Sequence, residues 1–483
     1  MVAACTTTPL LTPTSPPSPT ASPSPTPTSS RNPIPTAPST PSPTPSASPT
    51  ASPAAAAFLV SAQDIGEHVA ALDEIARDNG STRASGTTGY DASVDYVADQ
   101  LQEMGYRVMR EQVDFTFFRE TAPVTLAIGE RTWTGTEWLH AMVYSAGGNV
   151  SGDVHSVGIQ SGRPTETAAC DPADWDDFEP GGIAIVFGGG CLRRDIVSLA
   201  QQAGATAVIS MYPDWAANQT RQPTLLDPSG IDIPVLAVGR EPTLALLEAA
   251  QAGAVAQLSV EVEASAATAE NVIGEITGIS SSVVMLGGHL DSVLDGPGIN
   301  DNGSGVATLL AIAEAFSRQP QASDTVRFAF WAVEELGTHG SQHYVEQLSS
   351  AERQAIEGYI NLDMVGSPNS VRYVYADDFA APGSAEISQS LLDALSASGH
   401  PGLGVTSGGS DHIPFVQAGV PTGGLFSGIA PLGEEEAELF GGQAGVPADA
   451  CYHLACDAAA NVDVGNAQIM GQAVADMLEE LAY

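Results

Sequence analysis

The chain has 483 residues, enough for two or three domains, and a formal net charge of −41; all 16 of its basic residues are arginines. Without lysine, Schiff-base and P-loop chemistry are excluded. So large an acidic excess also excludes a nucleic-acid-binding protein or a polybasic membrane-surface protein. All 57 acidic residues lie in 58–483. Two alternatives explain this charge: a salt-adapted or GC-rich genome that favours arginine, alanine and acidic residues, or solubility on an exposed or extracellular protein.

Residues 1–57 are rich in proline, serine and threonine, a composition that predicts an extended spacer. Before the spacer, Val2–Cys5 resembles the lipobox at which bacterial lipoproteins are cleaved and diacylated, so Cys5 is a candidate lipid anchor. The charged and apolar regions of a signal peptide do not precede it, and we therefore expect the native start to lie upstream. An accidental run of small residues is the alternative. No apolar run reaches the roughly 20 residues of a membrane span.

The next two sections have different patterns. In 58–121, apolar residues three or four apart predict two amphipathic helices, around Ile65–Ile75 and Val94–Met104. Section 122–265 changes to alternating residues and glycine-rich turns, which predict a small β-rich domain. Its predicted elements are the strands Ile183–Phe187, Ala207–Met211 and Pro234–Val238 and the helix Ile196–Ala203.

In 266–483, apolar strand segments alternate with helical segments. This order predicts an α/β fold, a three-layer α/β/α sandwich around a mainly parallel, mixed sheet. Active sites of such folds usually form beyond the carboxyl ends of the strands. The predicted strands are Val283–Leu286, Val326–Trp331 and Tyr359–Leu362, and the predicted helices are Val306–Phe316, Gln342–Leu348, Ala385–Leu395 and Gln468–Leu481.

One histidine and five carboxylates follow these three strands: His289, Asp291, Asp301, Glu334, Glu335 and Asp363. Taken alone, Asp301 would be interpreted as the N-cap of the helix after it. Taken together, the carboxylates would repel one another unless a cation lies among them. Oxygen and imidazole ligands without thiolate favour zinc, with Mn²⁺ or Co²⁺ as alternatives.

A catalytic zinc site needs a further histidine. His412 and His453 are both candidates, and spacing alone does not choose between them. His339 and His343 lie four residues apart on a predicted helix, a spacing that can bind zinc, but they lack the adjacent glutamate of the zincin motif.

At this point six segments resemble, in order, the motifs of one family. It is the di-zinc leucine-type aminopeptidases secreted by bacteria, in the form with an inserted protease-associated (PA) domain. The segments are Gly288–Val293, Gly296–Gly305, Glu334–Gly337, Asn361–Gly366, Ser410–Phe415 and Cys451–Asp457, and Arg83–Thr87 adds to them. The resemblance covers 58–483. It implies a peptidase domain formed by 58–121 and 266–483, with 122–265 as the PA domain.

The resemblance also implies roles for single residues. Asp301 would bridge two zinc ions; His289 and Asp363 would bind one of them, and Glu335 and His453 the other. A hydroxide bridging the two ions would attack the peptide bond.

Four further roles follow in the same way. Glu334 would be the general base, Tyr452 would stabilise the oxyanion, and Asp291 would orient His289. His412 would then fall back to the pocket wall, near a ligand but not itself a ligand. Some relatives have arginine where this chain has Gly408-Gly409, which leaves substrate contacts at that edge open.

Five cysteines suit an exported protein with few disulfides. Beyond Cys5, we predict the local pairs Cys170–Cys191 and Cys451–Cys456 among three connectivities. We therefore expect a monomer outside the cell or on its surface, attached to a membrane only through Cys5. Its expected partners are peptides with a free amino terminus, and no nucleic acid.

The predicted function is the removal of amino-terminal, apolar, leucine-like residues from peptides. The alternatives are a carboxypeptidase or glutaminyl cyclase on the same framework, and a surface binding protein without catalysis. Few arginines follow Ala264, which disfavours binding a substrate carboxylate. No Gly-x-Ser-x-Gly segment occurs, which disfavours a serine hydrolase.

Overall fold

The structure is a computed structural model that describes residues 58–188, 190–211, 221–377 and 379–483. Cys5 and the predicted spacer lie outside the described residues. The described part begins with α1 (Ala62–Asp78), α2 (Thr88–Glu103) and β1 (Arg107–Glu120). Ser61 and Thr87 cap the two helices by accepting backbone N–H groups, and each helix buries its apolar stripe. Both predicted helices are confirmed.

The middle section forms a sheet of eight strands in the order β3-β2-β11-β5-β8-β9-β10-β4. β5, β8, β9 and β10 run parallel, and antiparallel strands flank them. The elements are β2 (Thr125–Ile128), β3 (Arg131–Thr134), β4 (Leu139–Ala141), β5 (Gly148–Ser156), β6 (Ile159–Gln160), β7 (Arg163–Pro164), β8 (Ile183–Phe187), α3 (Arg193–Gln202), β9 (Ala207–Met211), β10 (Val235–Val238), α4 (Arg240–Ala252) and β11 (Val255–Val260).

Helix α4 was not predicted from the sequence. Its buried face consists largely of small residues, Ala245 and Ala249 around Leu246. Alanine contributes little to an apolar periodicity, although it is the best intrinsic helix former. Gly253, at φ +62°, ends the helix in the left-handed conformation that favours glycine.

The last section builds a second eight-stranded sheet in the order β1-β12-β14-β13-β15-β18-β16-β17. Its central strands β14, β13, β15 and β18 are parallel. The elements are β12 (Val262–Ile276), β13 (Val283–His289), α5 (Gly303–Ser317), β14 (Thr325–Trp331), α6 (His339–Gln347), α7 (Ser350–Ala355), β15 (Ile356–Leu362), β16 (Tyr373–Tyr375), α8 (Ser384–Ala397), β17 (Leu403–Val405), α9 (His412–Gln417), β18 (Thr422–Phe426), α10 (Glu434–Phe440) and α11 (Val464–Ala482).

Both faces of this sheet are buried, because successive side chains of its strands enter different cores. In β13, Val284 and Leu286 pack in the core formed with α1, α2, α5 and α11, whereas Val283 and Met285 pack on the opposite face. Phe415 of α9 belongs to that opposite core. Alternate side chains of each strand face opposite apolar layers, so both sets of side chains are apolar and the strand sequences are continuous apolar runs. The predicted three-layer α/β/α sandwich is confirmed.

A long antiparallel pair joins the two sheets. β1 pairs with β12 from Arg107 opposite Glu275 to Glu120 opposite Val262. Phe115 packs in the core of the second sheet, and Phe118, three residues later, packs in the core of the first. The described part of the chain has no helix with the length and apolar character needed to cross a bilayer.

Both predicted disulfides are present, Cys170–Cys191 in the middle section and Cys451–Cys456 in the loop before α11. The local pairing is therefore confirmed.

Candidate active site

His289 is the last residue of β13, and its imidazole points into a group of carboxylates. Its Nε2 lies 3.3 Å from Asp363 Oδ1 and 3.4 Å from Asp301 Oδ1. On the other side of the ring, Nδ1 lies 3.6 Å from Asp291 Oδ1. β13 and β15 are parallel, so their carboxyl ends, and the Asp363 that follows β15, share one sheet edge.

Asp301 precedes α5 on the glycine-rich loop, but it does not cap the helix. The N-cap is Asn302, whose side-chain oxygen accepts the Gly305 N–H. The Asn302 amide also donates to the Leu362 carbonyl at the end of β15. This ties the loop to the sheet edge and leaves the Asp301 carboxylate for the cluster. The N-cap interpretation of Asp301 was wrong.

Glu334 and Glu335 follow β14 at the same edge. The backbone N–H of Glu334 donates a 3.1 Å hydrogen bond to Asp291 Oδ1. Leu336, the next residue, packs against both the core of the sheet and the core of the middle section. The two glutamates are therefore held between the two parts of the molecule.

His453 comes from the disulfide-closed loop 451–456. Its Nε2 lies 3.0 Å from Asp301 Oδ2 and 3.0 Å from Glu335 Oε2. The loop is joined to the glycine-rich segment by Asp457, whose carboxylate accepts the backbone N–H groups of Asn300 and Asp301. Beside His453, the Tyr452 ring stacks on the imidazole with centroids 3.8 Å apart.

The donors form two groups, each with ligand atoms within 4.8 Å of one another: His289, Asp301 and Asp363, and Asp301, Glu335 and His453. Asp301 belongs to both. The structure thus brings together all five residues predicted as metal ligands. Nitrogen and oxygen donors in this number suit zinc.

Electrostatics also fit a bound cation. In the protein without a cation, burial raises the pKa of Glu335 to about 6, while the His453 imidazolium opposes this rise. Burial lowers the pKa of His453, but the carboxylates of Glu335 and Asp301 outweigh it and raise this pKa to about 10. A cation among these donors would compete with protons for the same side chains. Glu335 Oε1 is buried without a hydrogen-bond partner among the described residues.

Three other candidate histidines lie outside these groups. His412 is fully buried and its Nε2 lies 2.8 Å from Ser407 Oγ. His339 begins α6 and its Nε2 lies 3.4 Å from the Tyr144 hydroxyl. Neither belongs to a metal-capable group in the part of the chain that the structure describes, and neither does His343.

Sequence reasoning missed two buried residues next to the site. Asp411 is fully buried, and burial raises its pKa to about 7. Arg83 is also fully buried and donates to the carbonyls of Leu290, Pro297 and Gly298. Both lie in segments that resemble the family motifs, but their burial beside the site is visible only in the tertiary structure.

The middle section touches the site loops at several points. His140 Nε2 lies 3.8 Å from Asp295 Oδ2, and Thr224 Oγ1 donates to the Leu336 carbonyl. Between the two parts is a small cavity next to Glu335 and Asp291, with apolar walls from Phe117, Phe118, Val143, Leu294 and Leu336.

Comparison with known proteins agrees with this arrangement of a mixed α/β fold around a candidate metal cluster. Residues 271–478 match the family described as Peptidase family M28, and residues 150–246 match the PA domain. The chain is 34% identical over 438 residues to an aminopeptidase of Pseudomonas aeruginosa, covering 86% of this chain and 80% of that protein. It is 36% identical over 434 residues to a protein of Mycobacterium tuberculosis named probable lipoprotein aminopeptidase, covering 86% and 84%.

A solved structure is also similar: BSAP, described as a zinc aminopeptidase from Bacillus subtilis. Its TM-score is 0.65 at 25% identity, covering 88% of this chain and 96% of that one. An aminopeptidase from Aneurinibacillus sp. strain AM-1 has the same fold, with a TM-score of 0.69 at 24% identity, covering 86% and 93%. The chain belongs to peptidase family M28 and carries an inserted PA domain.

Proposed function

We propose that this protein is a zinc-dependent aminopeptidase that hydrolyses the first peptide bond of peptides. One observation carries the proposal: two groups of histidine and carboxylate donors share the single carboxylate of Asp301. A shared carboxylate between two donor groups is an arrangement suited to a pair of metal ions. The aminopeptidase relatives from several organisms support it.

The proposed ligands are those grouped by the structure. His289 and Asp363 would hold one zinc ion, Glu335 and His453 would hold the other, and Asp301 would contribute to both. Mn²⁺ or Co²⁺ are substitutes with the same donor preference. When bound, zinc lowers the pKa of water and polarises the scissile carbonyl.

Glu334 is the proposed general base. It lies next to Glu335 but belongs to neither donor group. Burial raises its pKa well above the usual carboxyl range, and the carboxylates of Asp411 and Asp363 add to the rise. Cations bound to the neighbouring donors would favour the ionised form of Glu334. The ionised carboxylate would take the proton of the attacking water and pass it to the leaving amine.

Asp291 and Tyr452 have supporting roles in the proposal. The Asp291 main-chain carbonyl lies 3.1 Å from His289 Nδ1, and its carboxylate lies 3.6 Å from the same nitrogen and accepts the Glu334 N–H, so this one residue orients a ligand and the base. Burial keeps the pKa of Tyr452 well above its usual value, so the hydroxyl retains its proton and donates a hydrogen bond to the developing oxyanion. His412 is a pocket-wall residue near these groups.

The proposed substrate is a peptide with a free amino terminus and an apolar first residue. The acidic cluster attracts the substrate ammonium group. Two fungal relatives support the leucine-like preference: one from Aspergillus oryzae is named as a probable leucine aminopeptidase, and one from Trichophyton equinum as a leucine aminopeptidase.

We also propose that the protein acts outside the cell or on its surface as a monomer, with Cys5 as a lipid anchor. The two disulfides fit an oxidising compartment. The mycobacterial relative is named as a lipoprotein. Expression with the upstream reading frame and labelling with a palmitate analogue tests the anchor: label is expected on the native protein and not on Cys5→Ser.

A panel of aminoacyl p-nitroanilides tests the activity. We expect the leucine derivative to be hydrolysed fastest, loss of hydrolysis after chelation, and recovery on zinc addition, with two zinc ions per chain by elemental analysis. Amino-terminally acetylated peptides with free carboxyl ends, and amino-terminal glutaminyl peptides, test the carboxypeptidase and cyclase alternatives. Zinc-loaded protein that releases nothing from any free-amine substrate would contradict the proposal.

A further inference from the structure

A segment of the middle section, 221–226, reaches the catalytic side of the molecule. It is fixed to its own domain by hydrogen bonds to the residues after β4: the Val143 N–H donates to the Pro223 carbonyl, and the Leu225 N–H donates to the Val143 carbonyl. The Gln222 amide donates to the Ala141 carbonyl. The segment therefore has a defined position from which its first residue extends to the active-site loop.

That first residue, Arg221, contacts Tyr452 in two ways. Its Nε donates a 2.7 Å hydrogen bond to the Tyr452 carbonyl. Its guanidinium carbon lies over the Tyr452 ring, 5.5 Å from the centroid. Burial lowers the pKa of Arg221, while Tyr452 and Asp449 favour its charge. One side chain thus holds both the backbone and the ring of this tyrosine.

The opposite side of the same loop is held by the peptidase domain. Asp457 accepts the backbone N–H groups before and at Asp301, and the Cys451–Cys456 disulfide closes the loop. These contacts fix the ends of the loop. Arg221 contacts Tyr452 itself, from the other domain.

We propose that Arg221 is a positioning residue, by which the PA domain fixes the Tyr452 hydroxyl at the catalytic centre. The inference rests on the proposed oxyanion role of Tyr452. A hydroxyl that stabilises a developing charge must be held in place before the reaction, because reorganisation during the reaction weakens its effect. The inserted domain is then part of the catalytic apparatus and not only a cover over the cleft.

The test compares R221A with the wild type on leucine p-nitroanilide. We expect kcat to fall by about 10-fold to 100-fold, as for small displacements of a catalytic group, while KM changes by less than about 3-fold and zinc content stays at the wild-type level. R221K keeps the charge without the planar fork, so its kcat should lie between the two. If R221A does not fold, R221K alone tests the inference: a lowered kcat is expected, and a wild-type kcat would overturn it.

R131A is the matched control, because the Arg131 guanidinium lies 5.5 Å from the Trp133 centroid in the same domain but away from the site. Its kcat should equal that of the wild type. A wild-type kcat in R221A, or loss of zinc from it, would overturn the inference.

A double-variant cycle separates positioning from general stabilisation. Y452F removes the hydroxyl but keeps the ring and the carbonyl that Arg221 contacts. If Arg221 acts through the hydroxyl, adding R221A to Y452F lowers kcat by less than about 2-fold. A full R221A effect in the Y452F background overturns the inference. Absence of wild-type activity on every free-amine substrate would instead overturn the proposed function.

Discussion

The backbone N–H of Glu334 donates a hydrogen bond to the side chain of Asp291, which follows the neighbouring strand. The same carboxylate oxygen lies 3.6 Å from His289 Nδ1. The main-chain carbonyl of Asp291 lies 3.1 Å from that nitrogen, so a candidate base and a candidate ligand both contact one buried residue. Because this linkage fixes the backbone and not the carboxylate of Glu334, the chemistry of that carboxylate can be changed alone.

We expect Glu334→Gln to keep both zinc ions and to lower kcat by about 10²-fold to 10⁴-fold, because the amide cannot accept the proton of water. Steady-state kinetics and elemental analysis on one preparation test this. Lowered zinc content with intact turnover would show that the two adjacent glutamates have been assigned in the wrong order.

Asp301→Asn should lose zinc from both positions, because Asp301 is common to the two donor groups. Asp363→Asn is the matched variant: it belongs to one group only, so about one zinc ion per chain should remain. Elemental analysis after dialysis against a weak chelator measures both. Equal zinc content in the two variants would contradict the shared role of Asp301.

The two disulfides should have different effects when replaced by serine pairs. Removing Cys451–Cys456 should lower kcat by about 10-fold or more, because Tyr452 and His453 lie inside that loop. Removing Cys170–Cys191 should leave kcat within 2-fold and lower the free energy of unfolding by about 3 kcal/mol. Kinetics and urea denaturation with saturating zinc distinguish the two. The reverse pattern would contradict this division of roles.

Arg83→Met should destabilise the protein by about 3 kcal/mol. The three carbonyls that Arg83 binds are buried, and each loses the guanidinium as a donor, although the Gly298 carbonyl keeps the Gly303 N–H. Urea denaturation with excess zinc measures the change. Arg194→Gln, which breaks the partly exposed pair with Asp227, is the control and should change stability by less than about 0.5 kcal/mol. A similar small effect in Arg83→Met would show that water replaces the guanidinium.

His68 should contribute a loss of stability in mild acid, which a variant at this position isolates from the opposing contributions of buried carboxyl groups such as Asp411. Burial lowers the pKa of His68 below 6.5, against the opposing charges of Asp64 and Glu67, and its Nδ1 lies 2.6 Å from the Tyr96 hydroxyl. The unfolded chain therefore binds a proton at higher pH than the folded chain does. This contribution to stability is complete above about pH 6.5 and is lost as pH falls further, by at most about 1.4 kcal/mol per pH unit.

His68→Gln has no titrating group at this position, so it lacks the pH-dependent contribution of His68 to the free energy of unfolding. Urea denaturation from pH 7.5 to 5.5 should show a shallower decline for the variant than for the wild type. Parallel curves would contradict the burial of a neutral His68.

Local patterns predicted three of the four central parallel strands, β13, β14 and β15, but not β18 or the helix α9 that begins at His412. Apolar strands followed by His289, Glu335 and Asp363 predicted a parallel sheet with chemistry at one edge, because the ends of parallel strands meet there. Helix α4 was missed because its alanine-rich face gives no apolar period. Asp301 alone was ambiguous, and Asn302 took the capping role because its amide also reaches the end of β15.

The sequence by itself determined the α/β class, the local disulfide pairs and the residue types able to bind a metal, since these depend on periodicity, short separations and side-chain chemistry. Spacing alone did not choose between His412 and His453; the family resemblance predicted His453, and the tertiary structure places it 3.0 Å from Asp301. Only the tertiary structure decided that Arg83 is buried and that Arg221 reaches Tyr452. These contacts join segments far apart along the chain. Their distances depend on how two packed cores and a long strand pair place the loops, which no local pattern encodes.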